Sequence, residues 1–205
     1  MPLEARNISF RYKSGPWILQ DAHVVIHPGE VVGLTGHSGC GKTTLARLLA
    51  GYQRPASGSV SLDGQPLKAT GYCPVQLVPQ HPEQAVNPRW RMRDTLHEGQ
   101  IPETSLLTAL SIKQEWLNRW PNELSAGELQ RFCLARALGL RTRYLIADEM
   151  TTMLDAVTQA QIWHVVLELV RERQLGVLVT SHDGELIRRL CHRTIELDPS
   201  ADSRC

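Results

Sequence analysis

Residues 36–43 read Gly36-His37-Ser38-Gly39-Cys40-Gly41-Lys42-Thr43, which matches G-x-x-x-x-G-K-[ST]. The residue types suit a phosphate cradle. Glycines let main-chain N–H groups turn inward around phosphate oxygens without a Cβ in the way. A helix opening directly behind the loop adds the positive end of its dipole. Lys42 is placed to reach the β- and γ-phosphates, Thr43 offers a hydroxyl to Mg²⁺, and Thr44 continues the same turn. About a hundred residues later, the apolar run Tyr144-Leu145-Ile146-Ala147 ends in Asp148-Glu149. An acid at the carboxyl end of a buried strand lies where open α/β sheets bind ligands. Asp148 is expected in the shell of a magnesium ion and Glu149 as the group that polarises an attacking water. Together the two motifs predict a nucleoside triphosphate site that hydrolyses what it binds.

Such groups need a sheet to hold them. Short strands are expected over Ala5–Tyr12 and Ala22–His27, with a turn at Gly15-Pro16 between them. Val31–Thr35 is an apolar run suited to a buried parallel strand, and the helix from Lys42 to Gly51 puts Leu45, Leu48 and Leu49 on one face. An edge hairpin is expected around Ser57–Gly64 and a strand at Val75–Val78. From about Pro82 to Leu138 the pattern is helical only. The parallel-sheet pattern resumes at Tyr144–Asp148, followed by a helix carrying Ile162, Val165, Val166, Leu169 and Val170. Gly176–Thr180 and Arg193–Leu197 are further strands, with a short helix over Gly184–Leu190. The order predicts an α/β fold: a mostly parallel core, an N-terminal antiparallel β part and an inserted helical subdomain. In domain terms, residues 1–198 form one ATPase unit. Its core is 1–81 plus 136–198, its helical subdomain about 82–135, and 199–205 a polar tail.

Composition narrows the class. With 205 residues, 42% hydrophobic and 21% charged, the chain is globular rather than disordered. Its 22 basic and 21 acidic residues leave +1, so nucleic acid is not an expected partner. Five cysteines form no CxxC pair and read as free thiols of a reducing compartment. The start, MPLEARNISF, has no apolar core of a secretory leader, and no run reaches the roughly 20 apolar residues of a membrane span.

The stretch Leu124-Ser125-Ala126-Gly127-Glu128-Leu129-Gln130-Arg131 resembles the LSGGQ signature of ABC-type ATPases. Other marks of that family follow in order: Tyr12 in the adenine-stacking loop, Gln80 in the Q-loop, Leu154-Asp155 in the D-loop and His182 in the switch loop. The resemblance spans about Leu3 to Asp198. It implies that Gln80 ligates Mg²⁺ and relays movement to the helical insertion. It also implies that His182 contacts the γ-phosphate and keeps the water and Glu149 aligned. Ser125, Gly127 and Glu128, with Asp155, would face the ATP of a second subunit, so that one chain carries two half-sites and acts as a dimer. Asp183 is expected to be a helix cap. Ala126, Glu128, Met153 and the Pro79-Gln80-His81 run depart from the family pattern; Ala126 and Glu128 are mild changes because Ser125 and Gly127 keep the phosphate donors, with like-charge repulsion of the triphosphate by Glu128 as the effect that would weaken the half-site.

Val75–Pro82 followed by Ala85-Val86-Asn87-Pro88-Arg89 is similar to the peptide, opine and nickel uptake branch. Gln130–Leu138 resembles the second ATPase subunit of nickel importers. The implied protein is an importer's motor subunit on the cytoplasmic face of the membrane. Its implied partners are permease subunits, a second ATPase chain (a heterodimer is favoured) and an extracytoplasmic solute-binding protein. Asn87, Arg89 and Trp90 are candidates for the permease surface, and Trp116 and Trp120 for the subdomain's own core. Nickel, another metal or a short peptide are the candidate cargoes. The alternatives are a soluble ABC-type ATPase, such as a carbon–phosphorus lyase accessory, and a phosphate-loop kinase, which would have no reason to carry Ser125–Glu128 or His182.

Overall fold

The computed structural model describes residues 1–67, 70–99 and 101–197; the expected polar tail, 199–205, lies outside them. Two sheets are built from nine strands among these residues. The first is antiparallel, in the order β2 (Leu19–Ile26), β1 (Leu3–Phe10), β4 (Ser57–Leu62), β5 (Gln65–Pro66). The second is parallel, in the order β6 (Val75–Val78), β7 (Tyr144–Asp148), β8 (Gly176–Thr180), β3 (Val31–Thr35), β9 (Arg193–Glu196). Every strand anticipated from pattern is present, with ends shifted by up to three residues.

The parallel strands read as unbroken apolar runs because both faces of their sheet are covered. Side chains alternate between the faces. Val31, Leu145, Ala147, Val177 and Val179 pack against α4 (Ala126–Ala137) and α5 (Ala156–Arg173). Val32, Leu34, Tyr144, Ile146 and Leu178 pack against α1 (Lys42–Leu49) and the antiparallel sheet. Tyr144 also donates its hydroxyl to the Met1 carbonyl at 2.9 Å, tying the chain start to β7.

Between β6 and β7 the described residues form only helices and 3₁₀ turns. These are α2 (Met92–His97), α3 (Thr104–Ala109), α4 and three short 3₁₀ turns. Met92, Leu96, Leu106, Leu110 and Trp116 are buried and join the core of the α4/α5 face. Trp116 therefore fills the role expected of it, whereas Trp120 is 36% exposed, with the Arg91 guanidinium 4.9 Å from its ring centroid. An indole stacked by a cation serves as a surface lid rather than core. Arg131, itself buried, bonds the Leu110 carbonyl and Gln161 Oε1, both at 2.8 Å, and so ties this helical segment to α5. The last helix, α6 (Gly184–Leu190), is capped by Asp183, whose carboxylate accepts the N–H groups of Glu185 and Leu186 at 2.9 and 3.1 Å.

Candidate functional site

One row of the parallel sheet sets the geometry. Leu34 of β3 pairs with Thr180 of β8, and Thr180 pairs with Asp148 of β7. Two residues beyond Leu34 the phosphate loop begins, so the loop, Thr180 and Asp148 meet at the carboxyl ends of three adjacent strands. The loop backbone needs its glycines. Gly36 and Gly41 stand at φ 145 and 103, where L side chains are strained. A Cβ on Gly36 would fall 2.7 Å from Cys40 Sγ and 2.8 Å from the Leu197 carbonyl oxygen. Cys40 is accordingly buried under the loop, while Ser38, Gly39, Gly41, Lys42, Thr43 and Thr44 line a cleft of about 270 Å³ together with Ile18, Glu149 and His182.

Lys42 is 6% exposed, and its ammonium donates to the carbonyls of Gly36 and His37 at 2.8 and 3.0 Å. Those bonds hold the charge inside the loop's own curve, with two partners that are individually weaker than a phosphate oxyanion. Thr43 Oγ1 donates to Asp148 Oδ1 at 3.3 Å, and Thr180 Oγ1 donates to the same oxygen at 2.8 Å. Thr180 Oγ1 in turn accepts the Glu149 N–H at 3.0 Å. Glu149 stands at φ 50, an uncommon backbone conformation for a non-glycine residue, and its carboxylate meets His182 Nε2 at 2.8 Å. Glu149 and His182 thus meet across two strand ends. Thr180 is the residue that sequence reading passed over. Its signal was present: a hydroxyl closing an otherwise apolar strand two residues before His182.

Other expected residues take separate places. Gln80 is half-buried two residues beyond Val78, the last residue of β6, which pairs with Ala147; it does not line the cleft. Tyr12 is half-exposed beyond β1. Its ring meets Phe10 edge-on at 4.9 Å, and its hydroxyl accepts from Gln53 Nε2 at 3.0 Å, a bond that lowers its pKa. Ser125, Gly127, Glu128 and Asp155 line a second cleft with Ala126, Met153 and Leu154. The two clefts share no residue. Residues 125–128 and the phosphate loop of one chain thus line separate clefts.

At the second cleft, Ser125 caps α4. Its Oγ accepts the Glu128 N–H at 3.3 Å, and Glu128 Oε2 accepts the Ser125 N–H at 2.8 Å. This reciprocal capping box gives the Glu128 carboxylate a backbone partner while it keeps its charge. The Ser-x-x-Glu spacing carried that signal. Asp155 caps α5 by accepting the N–H groups of Val157 and Thr158, both at 3.0 Å. The Thr158 N–H, with further donors, holds its carboxyl below the ordinary range.

A family model described as ABC transporter matches residues 19–152, spanning the phosphate loop, the signature and the carboxylate pair. The chain belongs to the ABC transporter family. It is an ATP-binding, ATP-hydrolysing subunit of that family. Among its relatives, the nickel import ATP-binding protein NikE of Escherichia coli strain K12 is 36% identical over 200 residues. The match covers 88% of this chain and 75% of NikE. NikE of Shigella sonnei strain Ss046 matches with the same identity and coverage. Among solved structures, the fold is that of the dimeric ATP-binding cassette MJ0796 in a post-hydrolysis state bound to ADP and Pi. The TM-score is 0.82 and the identity 23%, covering 96% of this chain and 94% of that one. CbiO1 of Clostridium perfringens, part of the transporter complex CbiONQ, gives 0.78 at 22% identity, covering 96% and 84%. No helix among the described residues is long and apolar enough to cross a membrane.

Proposed function

We propose that this chain is the motor subunit of a bacterial importer for nickel, a related metal or a short peptide. In this reading it is held at the cytoplasmic face of the membrane by permease subunits. Two such ATPase chains, this one and a related partner, enclose ATP between the phosphate loop of one and the signature helix of the other. An extracytoplasmic solute-binding protein supplies the cargo. The observation that carries the ATPase roles is the Thr43–Asp148–Thr180–Glu149–His182 chain of hydrogen bonds and ion pair at the phosphate loop. The observation that favours nickel is the 36% identity to NikE.

The site's residues divide the work. Lys42 exchanges its two loop carbonyls for phosphate oxygens, and the turned N–H groups of residues 38–43 complete the cradle. Thr43 and Asp148 present hard oxygen atoms of the kind that magnesium takes, with Gln80 at the neighbouring strand end. Magnesium, when bound there, neutralises charge on the phosphate oxygens. Glu149 accepts a proton from the attacking water, and His182 holds the Glu149 carboxylate in place while offering an N–H toward the γ-phosphate. Thr180 fixes both acids at once, through Asp148 Oδ1 and the Glu149 N–H. Tyr12 is the aromatic face for the adenine. Ser125, Gly127 and Asp155 serve the ATP of the partner chain. Residues 82–135 act as the part that moves against the core, with Asn87, Arg89 and the 39% exposed Trp90 on the permease surface.

The test is affinity purification of the tagged chain from detergent-treated native cells. Multi-spanning permease subunits and a second ATPase are expected in the eluate, and the associated binding protein is then titrated with Ni²⁺ and with peptides. Soluble enzyme partners without a membrane protein would overturn the importer reading. A binding protein that takes peptide and not Ni²⁺ would settle the cargo against metal.

A further inference from the structure

Tyr12, the aromatic face proposed above for the adenine, is held from the far end of the helix that opens at the phosphate loop. That helix, α1, ends in a left-handed turn. Gly51, at φ 77, donates its N–H to the Leu48 carbonyl at 3.1 Å, and the Tyr52 N–H reaches the Arg47 carbonyl at 2.9 Å. These two bonds form the Schellman termination of a helix, so the chain leaves α1 toward Gln53 on a fixed turn. Gln53 Nε2 then donates to the Tyr12 hydroxyl at 3.0 Å. The Gln53 bond, joined by Arg47 of α1 and by Thr44, which also lines the phosphate cleft, holds that hydroxyl below its ordinary range. Phe10 meets the ring edge-on, and the Gly15 N–H closes on the Tyr12 carbonyl at 2.9 Å. Ring, backbone and hydroxyl are each fixed, while Tyr12 is still 48% exposed.

We infer that Gln53 is a positioning residue for the nucleotide: by holding Tyr12 it sets the distance between the surface on which the base stacks and the cradle that takes the triphosphate. This rests on the nucleotide reading above. The two surfaces are joined through α1, eight residues and about 12 Å of rigid helix with Lys42 at one end and the Gln53 turn at the other. A base and a triphosphate linked by one ribose occupy both surfaces together only over a limited span. The second contact is gained in full where the surfaces already stand at that spacing. The Gln53 amide has this bond and little else: its Oε1 is buried without a hydrogen-bond partner among the described residues. A buried carbonyl left unpaired lowers stability, so the side chain adds little to the fold beyond its hold on Tyr12. Gln53→Met keeps the length and removes the donor and the orphaned acceptor together, with little change in folding.

The experiment is calorimetric titration of the full chain with magnesium ATP and with magnesium tripolyphosphate, which has the phosphates and no base. Wild type is compared with Gln53→Met, Tyr12→Phe, the double variant and Tyr12→Ala. Loss of one neutral hydrogen bond predicts that Gln53→Met weakens ATP binding about three- to tenfold, with tripolyphosphate within about twofold of wild type. Tyr12→Phe keeps the ring, loses the hydroxyl and gives the same pattern. The double variant is no weaker than either single one, because all three lack the same bond. An unchanged ATP affinity in Gln53→Met overturns the inference, as do additive losses in the double variant. An equal loss for both ligands also overturns it, because Gln53 would then merely support the fold. Unchanged ATP affinity in Tyr12→Ala would overturn the adenine face and this inference with it. A wild type that binds neither ligand would instead overturn the nucleotide reading itself.

Discussion

Glu149 and Thr180 show how closely the chemistry depends on single atoms. The Thr180 hydroxyl has one proton and spends it on Asp148, while its lone pair takes the Glu149 N–H. Valine has nearly the same shape but can do neither. Thr180→Val is therefore expected to lower kcat about tenfold, the worth of a hydrogen bond to a charged group, with nucleotide affinity within about twofold of wild type. Steady-state ATPase assays check this, and an unchanged kcat would remove Thr180 from the site. Glu149→Gln keeps the shape and the contact to His182 but cannot take a proton. A fall in kcat of about a hundredfold or more is expected, with ATP still bound. Hydrolysis at the wild-type rate would show that another group is the base. For Lys42→Ala, loss of a charged donor with a full complement of phosphate contacts predicts at least about tenfold weaker ATP binding in a fluorescence titration.

At the scale of elements, the amino end of α4 has to stay folded as a helix terminus, and under the proposed function it also presents its N–H groups to the ATP of the partner chain. The capping box serves the first need and engages the Glu128 carboxylate in doing so. Ser125→Ala removes the cap acceptor and is expected to cost about 1 kcal/mol, a Tm drop of roughly 2–4 °C for a domain of this size. Glu128→Gln can still accept the Ser125 N–H, so a change below about 0.5 kcal/mol is expected in the same melts. A large loss for Glu128→Gln would mean that the negative charge, and not the hydrogen bond, holds this end.

Across the whole molecule, the antiparallel sheet is fastened to the parallel one by Asp63 of the β4–β5 turn and Arg143 before β7. The fork is two-pronged, with Nη1 to Oδ2 at 2.5 Å and Nη2 to Oδ1 at 3.0 Å. The Arg143 bonds hold the Asp63 carboxyl below its ordinary range. A carboxyl lowered in the folded state adds stability above its unfolded pKa, near 4, and that increment disappears as pH falls through the folded value. Both side chains are partly exposed, so the expected worth is only about 0.5–1 kcal/mol. Asp63 sits at φ 58, which asparagine tolerates. Asp63→Asn should melt a few degrees below wild type at pH 7, and the gap should close toward pH 3. A gap that is constant with pH would assign the effect to packing.

The phosphate loop, the Asp148-Glu149 pair and the succession of strands and helices along the chain were legible in the chain itself. They are local: a glycine pattern between strand and helix, an apolar run closed by acids, and periods of two and of three to four residues are each written in contiguous residues. The same holds for the Asp183 cap. What the chain could not display was anything carried by neighbours distant in sequence. Strand order, which places Thr180 between the loop and Asp148, depends on which apolar edges find each other during packing. Trp120 at the surface and Trp116 in the core have the same composition signal and differ only in what lies above them. Gln130, Cys133 and Arg136 of α4 donate to residues 51 positions earlier, and the acceptors are backbone carbonyls, which no residue letter encodes. Residue types set the chemistry that is available; the fold sets which atoms are near enough to use it.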